Sequence, residues 1–190
     1  MAALRPALPA RLVDRCVDGD EAAWRALHRD FQPQAARFLR RLGVPANEAD
    51  DLCQEVFIQV FRYLKRFEGR ADFRTWLFKL CISQANRRRR SPSRLGPVGE
   101  RRRLDRSPDA GPEWSAEEMA RRAQQALDRM KPAHREAFVL FELEGLSGEE
   151  IGRVLNCRVS TVWRRLSYAR REFESWVEEG PLGRPKDEGE

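Results

Sequence analysis

A chain of 190 residues is long enough for one ordinary domain or two small ones, because domains run from about 50 to 250 residues. Charged residues make up 35% of the chain, and 36 Lys and Arg against 30 Asp and Glu leave a formal net charge of +6, too small to indicate nucleic-acid binding by itself. No apolar run approaches the roughly 20 residues that span a membrane, and Pro6 and Pro9 interrupt the N-terminus where a signal peptide would need an apolar core, so we expect a cytoplasmic protein without membrane insertion.

The pattern over residues 10–90 predicts helices and no strands, since β-branched residues occur singly within helical spacing. A first helix near residues 11–17 ends at Gly19, and Asp20 is placed to cap the second. Pro33 fits the first turn of a third helix, which ends before Gly43. These residues predict three short helices in the first part of the chain.

Two longer helices follow. Asn47 with Asp50 is expected to open a long helix that continues to Phe67. Asp72 can cap the next helix, which leads into the four arginines at positions 87–90. Runs of cations of this kind are typical of phosphate-binding surfaces, although disordered basic tails contain them too.

The composition changes between Ser91 and about Pro112, where prolines, glycines, serines and arginines replace the apolar residues. Such a segment cannot bury a core and is expected to be disordered when free. The predicted fold is therefore all-α, with two small helical domains at 10–90 and 115–178, a flexible linker at 91–114 and a disordered tail at 179–190.

The second domain is expected to end in a helix-turn-helix. Ser115 with Glu118 is expected to begin the first helix after the linker, and Pro132 the second. Ser147 with Glu150 has the spacing of a capping box and is expected to begin the third. A turn at residues 156–159 leads to a helix that Ser160 can cap. Apolar residues recur along one side of that last helix, and its opposite side carries arginines and a tyrosine, as a DNA recognition helix requires. An ordinary amphipathic helix pair with a solvated basic face is the alternative.

Cysteines are scattered, and no pair has C-x-x-C spacing. Each cysteine falls on or near an apolar face, which predicts buried free thiols rather than a metal site. The four are Cys16, Cys53, Cys81 and Cys157.

Two ordered motifs resemble those of bacterial RNA polymerase sigma factors. The segments 49–57 (ADDLCQEVF) and 73–80 (FRTWLFKL) are similar to conserved region 2, and GLS at 145–147, EEI at 149–151, TV at 161–162, RL at 165–166 and AR at 169–170 are similar to region 4. The short chain and the bare linker resemble the extracytoplasmic-function (ECF) group. Ser83, Arg87 and the pair Trp163-Arg164 depart from residues that are frequent in the family, which makes the promoter sequence harder to infer.

The resemblance implies a promoter-recognition factor, with no catalytic activity, cofactor or metal of its own. Its partners would be core RNA polymerase, through the β′ clamp helices and the β flap, and promoter DNA, with an anti-sigma factor as a further candidate. Region 2 would dock on the clamp helices through Asp50, Asp51, Gln54 and Glu55. In the sequence itself Asp51 and Glu55 lie one helical turn apart and share a face, although without the family a solvated acidic face is the simpler reading.

The resemblance also implies two DNA surfaces. Region 2 would capture the non-template strand of the −10 element, because mixed aromatic and cationic side chains suit unpaired bases and phosphates. Its candidates are Lys65, Arg66, Arg70, Arg74, Lys79, Arg87 and Arg88, whereas Phe67 and Trp76 are at core spacing. Region 4 would read the −35 element in the major groove with Ser160, Thr161, Trp163, Arg164, Arg165 and Tyr168. Trp163 borders the apolar seam, so packing and groove contact remain equally open for it.

Two other classes of function fit parts of the sequence. A helix-turn-helix regulator that acts without polymerase would have no use for the acidic face of residues 50–55. A hydrolase would need Asp50, Asp51 and Glu55 as metal ligands, but no histidine or second carboxylate cluster completes such a site.

Overall fold

In the computed structural model the described residues are 10–69, 71–90 and 115–179. They contain no strand, and the all-α prediction is confirmed. The linker predicted at 91–114, the tail beyond residue 179 and the candidate Arg70 lie outside the described residues. None of the helices in the described ranges is long and apolar enough to cross a membrane.

Four helices form the first unit, with a 3₁₀ turn at Leu64–Arg66 between the third and the fourth. They are α1 (Ala10–Val17), α2 (Glu21–Arg41), α3 (Ala46–Tyr63) and α4 (Phe73–Arg90). Two of the predicted caps are confirmed. Asp20 accepts hydrogen bonds from the backbone N–H groups of Ala22 and Ala23, and Asp72 accepts one from the N–H of Arg74 at 3.0 Å. The backbone N–H of Ala23 and the side chain of Arg15 also hold the pKa of Asp20 below its usual value.

Pro33 lies inside α2 and does not start a separate helix, so the predicted boundary was wrong. A proline in a helix interior removes one backbone hydrogen bond and costs about 3 kcal/mol. Phe31, Ala35 and Leu39 on the same helix are buried in the core, and burial of such side chains stabilises by about 1.5–3 kcal/mol for each large one. Tertiary packing therefore offsets the local cost and keeps α2 continuous.

The start of α3 also differs from the prediction. The helix begins at Ala46, directly after Pro45, and Asn47 lies within its first turn. It ends at Tyr63, and Phe67 follows the 3₁₀ turn instead of continuing the helix. Pro45 takes the N-cap position, and no side chain caps this helix.

The second unit contains four α-helices and a π-helical segment at Val139–Leu143. The helices are α5 (Ala116–Arg129), α6 (Pro132–Phe138), α7 (Gly148–Leu155) and α8 (Val159–Glu179). The predicted starts are confirmed at Ser115, whose Oγ accepts from the backbone N–H of Glu118 at 3.2 Å, and at Pro132, the first residue of α6.

The two units are in contact, which the linker composition did not predict. Helix α4 packs against α7 and α2 against α5, and buried residues of both units belong to one apolar cluster. The Arg135 side chain donates to the carbonyl of Leu42 at 2.8 Å, and Gln124 Nε2 donates to the carbonyl of Arg40 at 2.8 Å. In this arrangement the second unit covers part of the surface formed by α2 and α4.

All four cysteines are free, as predicted. Cys16, Cys53 and Cys81 are buried, and Cys157 is half-buried in the turn between α7 and α8. Burial raises the pKa of the Cys53 thiol to about 11, with a smaller contribution from the nearby charge of Asp50.

Candidate nucleic-acid and protein interfaces

The turn between α7 and α8 has the geometry of a helix-turn-helix. The predicted capping box is present: the Oγ of Ser147 accepts from the N–H of Glu150 at 3.3 Å, and the N–H of Ser147 donates to the Glu150 carboxylate at 2.8 Å. Asn156 closes α7 in the left-handed conformation, with φ of +49°. A Cβ at Gly152 would lie 3.0 Å from the carbonyl oxygen of Cys157, so a larger residue there would have to push back the backbone of the tight turn.

Helix α8 presents the predicted division of faces. Val162, Leu166 and Ala169 are buried against the rest of the unit. The candidate residues on the other side are exposed or half-buried: Ser160, Trp163, Arg164 and Tyr168 are exposed, and Thr161 and Arg165 are half-buried. The arrangement holds a row of polar and aromatic side chains on the outside of a fixed helix.

Ser160 does not cap α8, and this part of the prediction was wrong. The helix begins one residue earlier, at Val159, and the carbonyl of Arg158 accepts from the N–H groups of Thr161 and Val162. Ser160 therefore lies in the first helical turn with its side chain exposed. The hydroxyl is thus placed on the outer side of the helix.

Trp163 is both packed against its neighbours and partly exposed, so its packing role is present and its contact with DNA stays a prediction. Its ring meets the Phe141 ring edge-on at 5.4 Å, and a Cβ at Gly148 would come within 2.8 Å of it. The residue is nevertheless 47% exposed. Packing fixes the indole on one side and leaves its other side open to a ligand.

On the first unit, the acidic face of α3 is accessible. Asp50, Asp51 and Gln54 are exposed and Glu55 is half-buried. The described residues contain no cluster of three or more His, Cys, Asp or Glu side chains placed to hold a metal ion. The hydrolase hypothesis, which needs Asp50, Asp51 and Glu55 as metal ligands, therefore finds no support in the described part of the chain.

An apolar groove adjoins this acidic face, and the sequence reasoning missed it. Ile58 is 51% exposed and Phe61 is 66% exposed, and both follow Gln54 along the same side of α3. They line a groove of about 700 Å³ together with Trp24 and Phe57. The signal was present in the sequence, because Ile58 and Phe61 are large apolar residues that fall outside the buried stripe of α3.

The basic candidates of the first unit divide into exposed side chains and side chains held in ion pairs. Lys65, Arg66, Lys79 and Arg87 are exposed, and the Arg66 guanidinium lies 5.4 Å from the centroid of the Tyr63 ring. Arg88 and Arg74 form ion pairs instead. Their partners are Glu48 of α3, at 2.5 Å from Arg88, and Glu144 of the second unit, which pairs with Arg74.

Phe67 and Trp76 are half-buried in an aromatic cluster. Their ring centroids are 5.5 Å apart, and both rings lie within 5.7 Å of the Phe73 ring. The cluster holds the 3₁₀ turn against the start of α4. Both residues therefore have a structural role here, as their spacing predicted.

Comparison with known proteins assigns each unit. A model of sigma-70 region 2 matches residues 27–95, and a model of sigma-70 region 4 matches residues 120–173. The ECF RNA polymerase sigma-E factor of Escherichia coli strain K12 is 31% identical over 179 residues, which cover 88% of this chain and 93% of that protein. The ECF RNA polymerase sigma-E factor of Haemophilus influenzae is 29% identical over 180 residues, which cover 88% of this chain and 94% of that protein.

Two solved structures share the fold. CnrH, solved in complex with the cytosolic domain of CnrY, superposes with a TM-score of 0.65 at 24% identity and covers 88% of this chain and 96% of that one. RpoE from Bartonella quintana, solved in complex with the anti-sigma factor NepR, superposes with a TM-score of 0.63 at 21% identity. The match covers 82% of this chain and 96% of that one.

Proposed function

The chain belongs to the ECF group of RNA polymerase sigma factors, and from that membership we propose that three surfaces direct the polymerase to its promoters. The observation that carries the proposal is the outer row of α8, in which Ser160, Trp163, Arg164 and Tyr168 are exposed on a helix fixed by buried residues. Such a row fits the major groove, where base edges present donors and acceptors. Its target is the −35 element.

The docking surface for core polymerase is the outer face of α3. Asp51 and Gln54 supply a polar, negatively charged edge, and Ile58 and Phe61 supply an exposed apolar centre. Stable protein interfaces combine such a centre with a polar rim. The proposed occupant is the pair of β′ clamp helices, with complementary basic side chains on the polymerase. The β flap is the proposed partner of the second unit, and an anti-sigma factor is proposed as a further regulator.

The −10 element is captured by the basic side of the first unit. Lys65, Arg66, Lys79 and Arg87 are exposed and accessible to phosphates, and Tyr63 is 39% exposed beside Arg66. A strand pulled from the duplex loses base stacking worth a few kcal/mol, and contacts to aromatic faces and cations offset that loss. This surface therefore favours the single non-template strand over duplex.

A helix-turn-helix regulator without polymerase docking is disfavoured, because the region 2 match covers a unit that such a regulator does not need. The test is co-purification with core polymerase, followed by run-off transcription on the DNA upstream of its own coding sequence. Polymerase binding and promoter-dependent transcripts are expected. Sequence-specific DNA binding with no polymerase association would instead support the regulator.

A further inference from the structure

The carboxylate of Glu144 links the two units at a buried point. Its side chain is 7% exposed, and its two oxygens are engaged separately: Oε1 accepts from Arg41 Nη1 at 2.6 Å, and Oε2 accepts from Arg74 Nη2. Arg41 ends α2 and Arg74 lies in the first turn of α4, so two helices of the first unit converge on one anion of the second. The backbone N–H of Glu144 donates to the carbonyl of Val139 at 3.0 Å, which fixes the position of this residue.

A second contact repeats the same distribution of charge. Arg89 of α4 donates to the Glu136 carboxylate of α6 at 3.0 Å, and the Glu136 side chain is 11% exposed. In both contacts the first unit supplies the arginine and the second unit supplies the carboxylate. The second unit thus presents anions to the side of the first unit that carries its arginines.

The donors around Glu144 match a phosphate as well as a carboxylate. Guanidinium groups bind both anions through the same fork of N–H donors. Both oxygens of Glu144 accept hydrogen bonds, and the Nε of Arg74 is buried without a hydrogen-bond partner among the described residues. A phosphate group carries additional acceptor oxygens and can satisfy the donor that a carboxylate leaves unpaired.

We propose that Arg41 and Arg74 form a binding site for a backbone phosphate of single-stranded DNA, and that Glu144 occupies this site in the free protein. The proposal rests on the function proposed above, in which the first unit captures a single strand. It assigns a DNA contact to Arg41 and a self-inhibitory role to Glu144. While the two units are in contact, Glu144 therefore competes with the DNA strand for Arg41 and Arg74.

The energetics suit a contact that can be displaced. A buried ion pair gains little net stability, because desolvation of both charges cancels most of their attraction. Binding of a DNA strand puts one phosphate in place of the carboxylate, while further phosphates of the same strand meet other cations of the first unit and release counterions. The ion pair is thus strong enough to orient the units and weak enough to yield to a polyanion.

The test compares two glutamines in the full-length protein. Glu144→Gln removes the anion from the site, whereas the control Glu142→Gln removes the same charge from a residue that pairs with Arg170 inside the second unit. The probe is fluorescein-labelled oligo(dT) of about twelve nucleotides, a length that a single-strand-binding surface covers. Fluorescence anisotropy should show at least about fivefold tighter binding for Glu144→Gln than for the control, within the usual range for coupled sites. Adding Arg41→Ala to Glu144→Gln should abolish the gain.

Equal affinity of the two glutamine variants would overturn the proposal, as would a gain that survives Arg41→Ala. If circular dichroism shows that Glu144→Gln misfolds, the wild-type protein decides the question. Its radius of gyration in small-angle X-ray scattering should rise as unlabelled oligo(dT) is added, because the strand displaces the second unit. Saturating binding with an unchanged radius contradicts self-inhibition. Core polymerase binding by the wild type is measured in parallel, and failure there counts against the proposed function and not against this site.

Discussion

The guanidinium of Arg135 occupies the space that a side chain at Gly43 would need. Gly43 follows the end of α2 with φ of +86°, and a Cβ built there would collide with Nη1 of Arg135. The same guanidinium donates to the carbonyls of Leu42, Asp128 and Met130. One arginine of the second unit thereby caps the end of a helix in the first, and burial lowers its pKa from the usual value.

Gly43→Ala should destabilise the protein for two separable reasons. A residue other than glycine in this conformation costs about 1–3 kcal/mol, and the methyl group also displaces Arg135. The free energy of unfolding in urea measures the total. The double variant Gly43→Ala with Arg135→Ala should cost less than the sum of the two single changes, because the collision disappears and the backbone strain remains. Simple additivity would mean that the two residues do not interact.

Polymerase docking should depend on the acidic face of α3. Asp51→Arg combined with Glu55→Arg places cations where the proposed partner is basic, so holoenzyme assembly should weaken at least about tenfold by the usual effect of like charges across an interface. The matched control is Asp14→Arg with Asp18→Arg, an exposed pair with the same spacing. Affinity for core polymerase, measured by fluorescence anisotropy, is the readout. Equal losses in both double variants would assign the effect to net charge alone.

The apolar groove beside that face gives a second test of the same surface. Phe61→Ser should weaken polymerase binding with little change in stability, because Phe61 is 66% exposed and contributes little to the core. Interface residues that are aromatic and central commonly contribute 2 kcal/mol or more, roughly 30-fold in affinity. Thermal unfolding of the free protein serves as the control. Unchanged polymerase affinity would restrict the docking surface to the acidic residues.

The two DNA surfaces should respond differently to strand opening. Arg164→Ala should reduce recruitment to closed promoters, and an upstream base substitution should cost about 1–3 kcal/mol if this arginine reads a base edge. Arg66→Ala should leave duplex recruitment nearly normal and reduce the permanganate reactivity of thymines near the start site. On a template with a pre-melted bubble, Arg66→Ala should recover part of its transcription, whereas Arg164→Ala should gain no more than the wild type. Identical responses would mean that both units act as one composite surface.

Thiol reactivity should follow burial. Cys157 should be alkylated first by iodoacetamide near pH 8, since the other three thiols are buried. Cys53, with its pKa raised to about 11, should react only as the pH approaches that value. Peptide mapping identifies the modified residue, and rapid alkylation of native Cys53 at pH 8 would contradict its burial.

The raised pKa of Cys53 also affects stability. Because this pKa is raised above its unfolded value, the contribution of Cys53 to the free energy of unfolding is complete below about pH 8.5 and is lost as the pH rises towards the folded pKa.

Local chemistry in the sequence determined the helices and the helix-turn-helix. A cap at Asp20, Asp72, Ser115 or Ser147 joins groups two or three positions apart, so the residues alone carry the information. The buried and exposed sides of α8 follow from helical periodicity for the same reason. The motifs at residues 49–57, 73–80 and 145–170 also indicated sigma regions 2 and 4, and the family models match both units.

Contacts distant in sequence were decided by the tertiary structure. Arg74 and Glu144 are 70 positions apart, and no pattern within either segment indicates that the two units pack together and pair them. The helix boundary predicted at Pro33 was wrong because packing against other helices offsets the free-energy cost of a proline inside α2. The exposure of Ile58 and Phe61 was not predicted because it depends on which parts of α3 the neighbouring helices leave uncovered. A sequence fixes local geometry through neighbouring backbone groups, but burial and ion pairing are properties of the assembled surfaces.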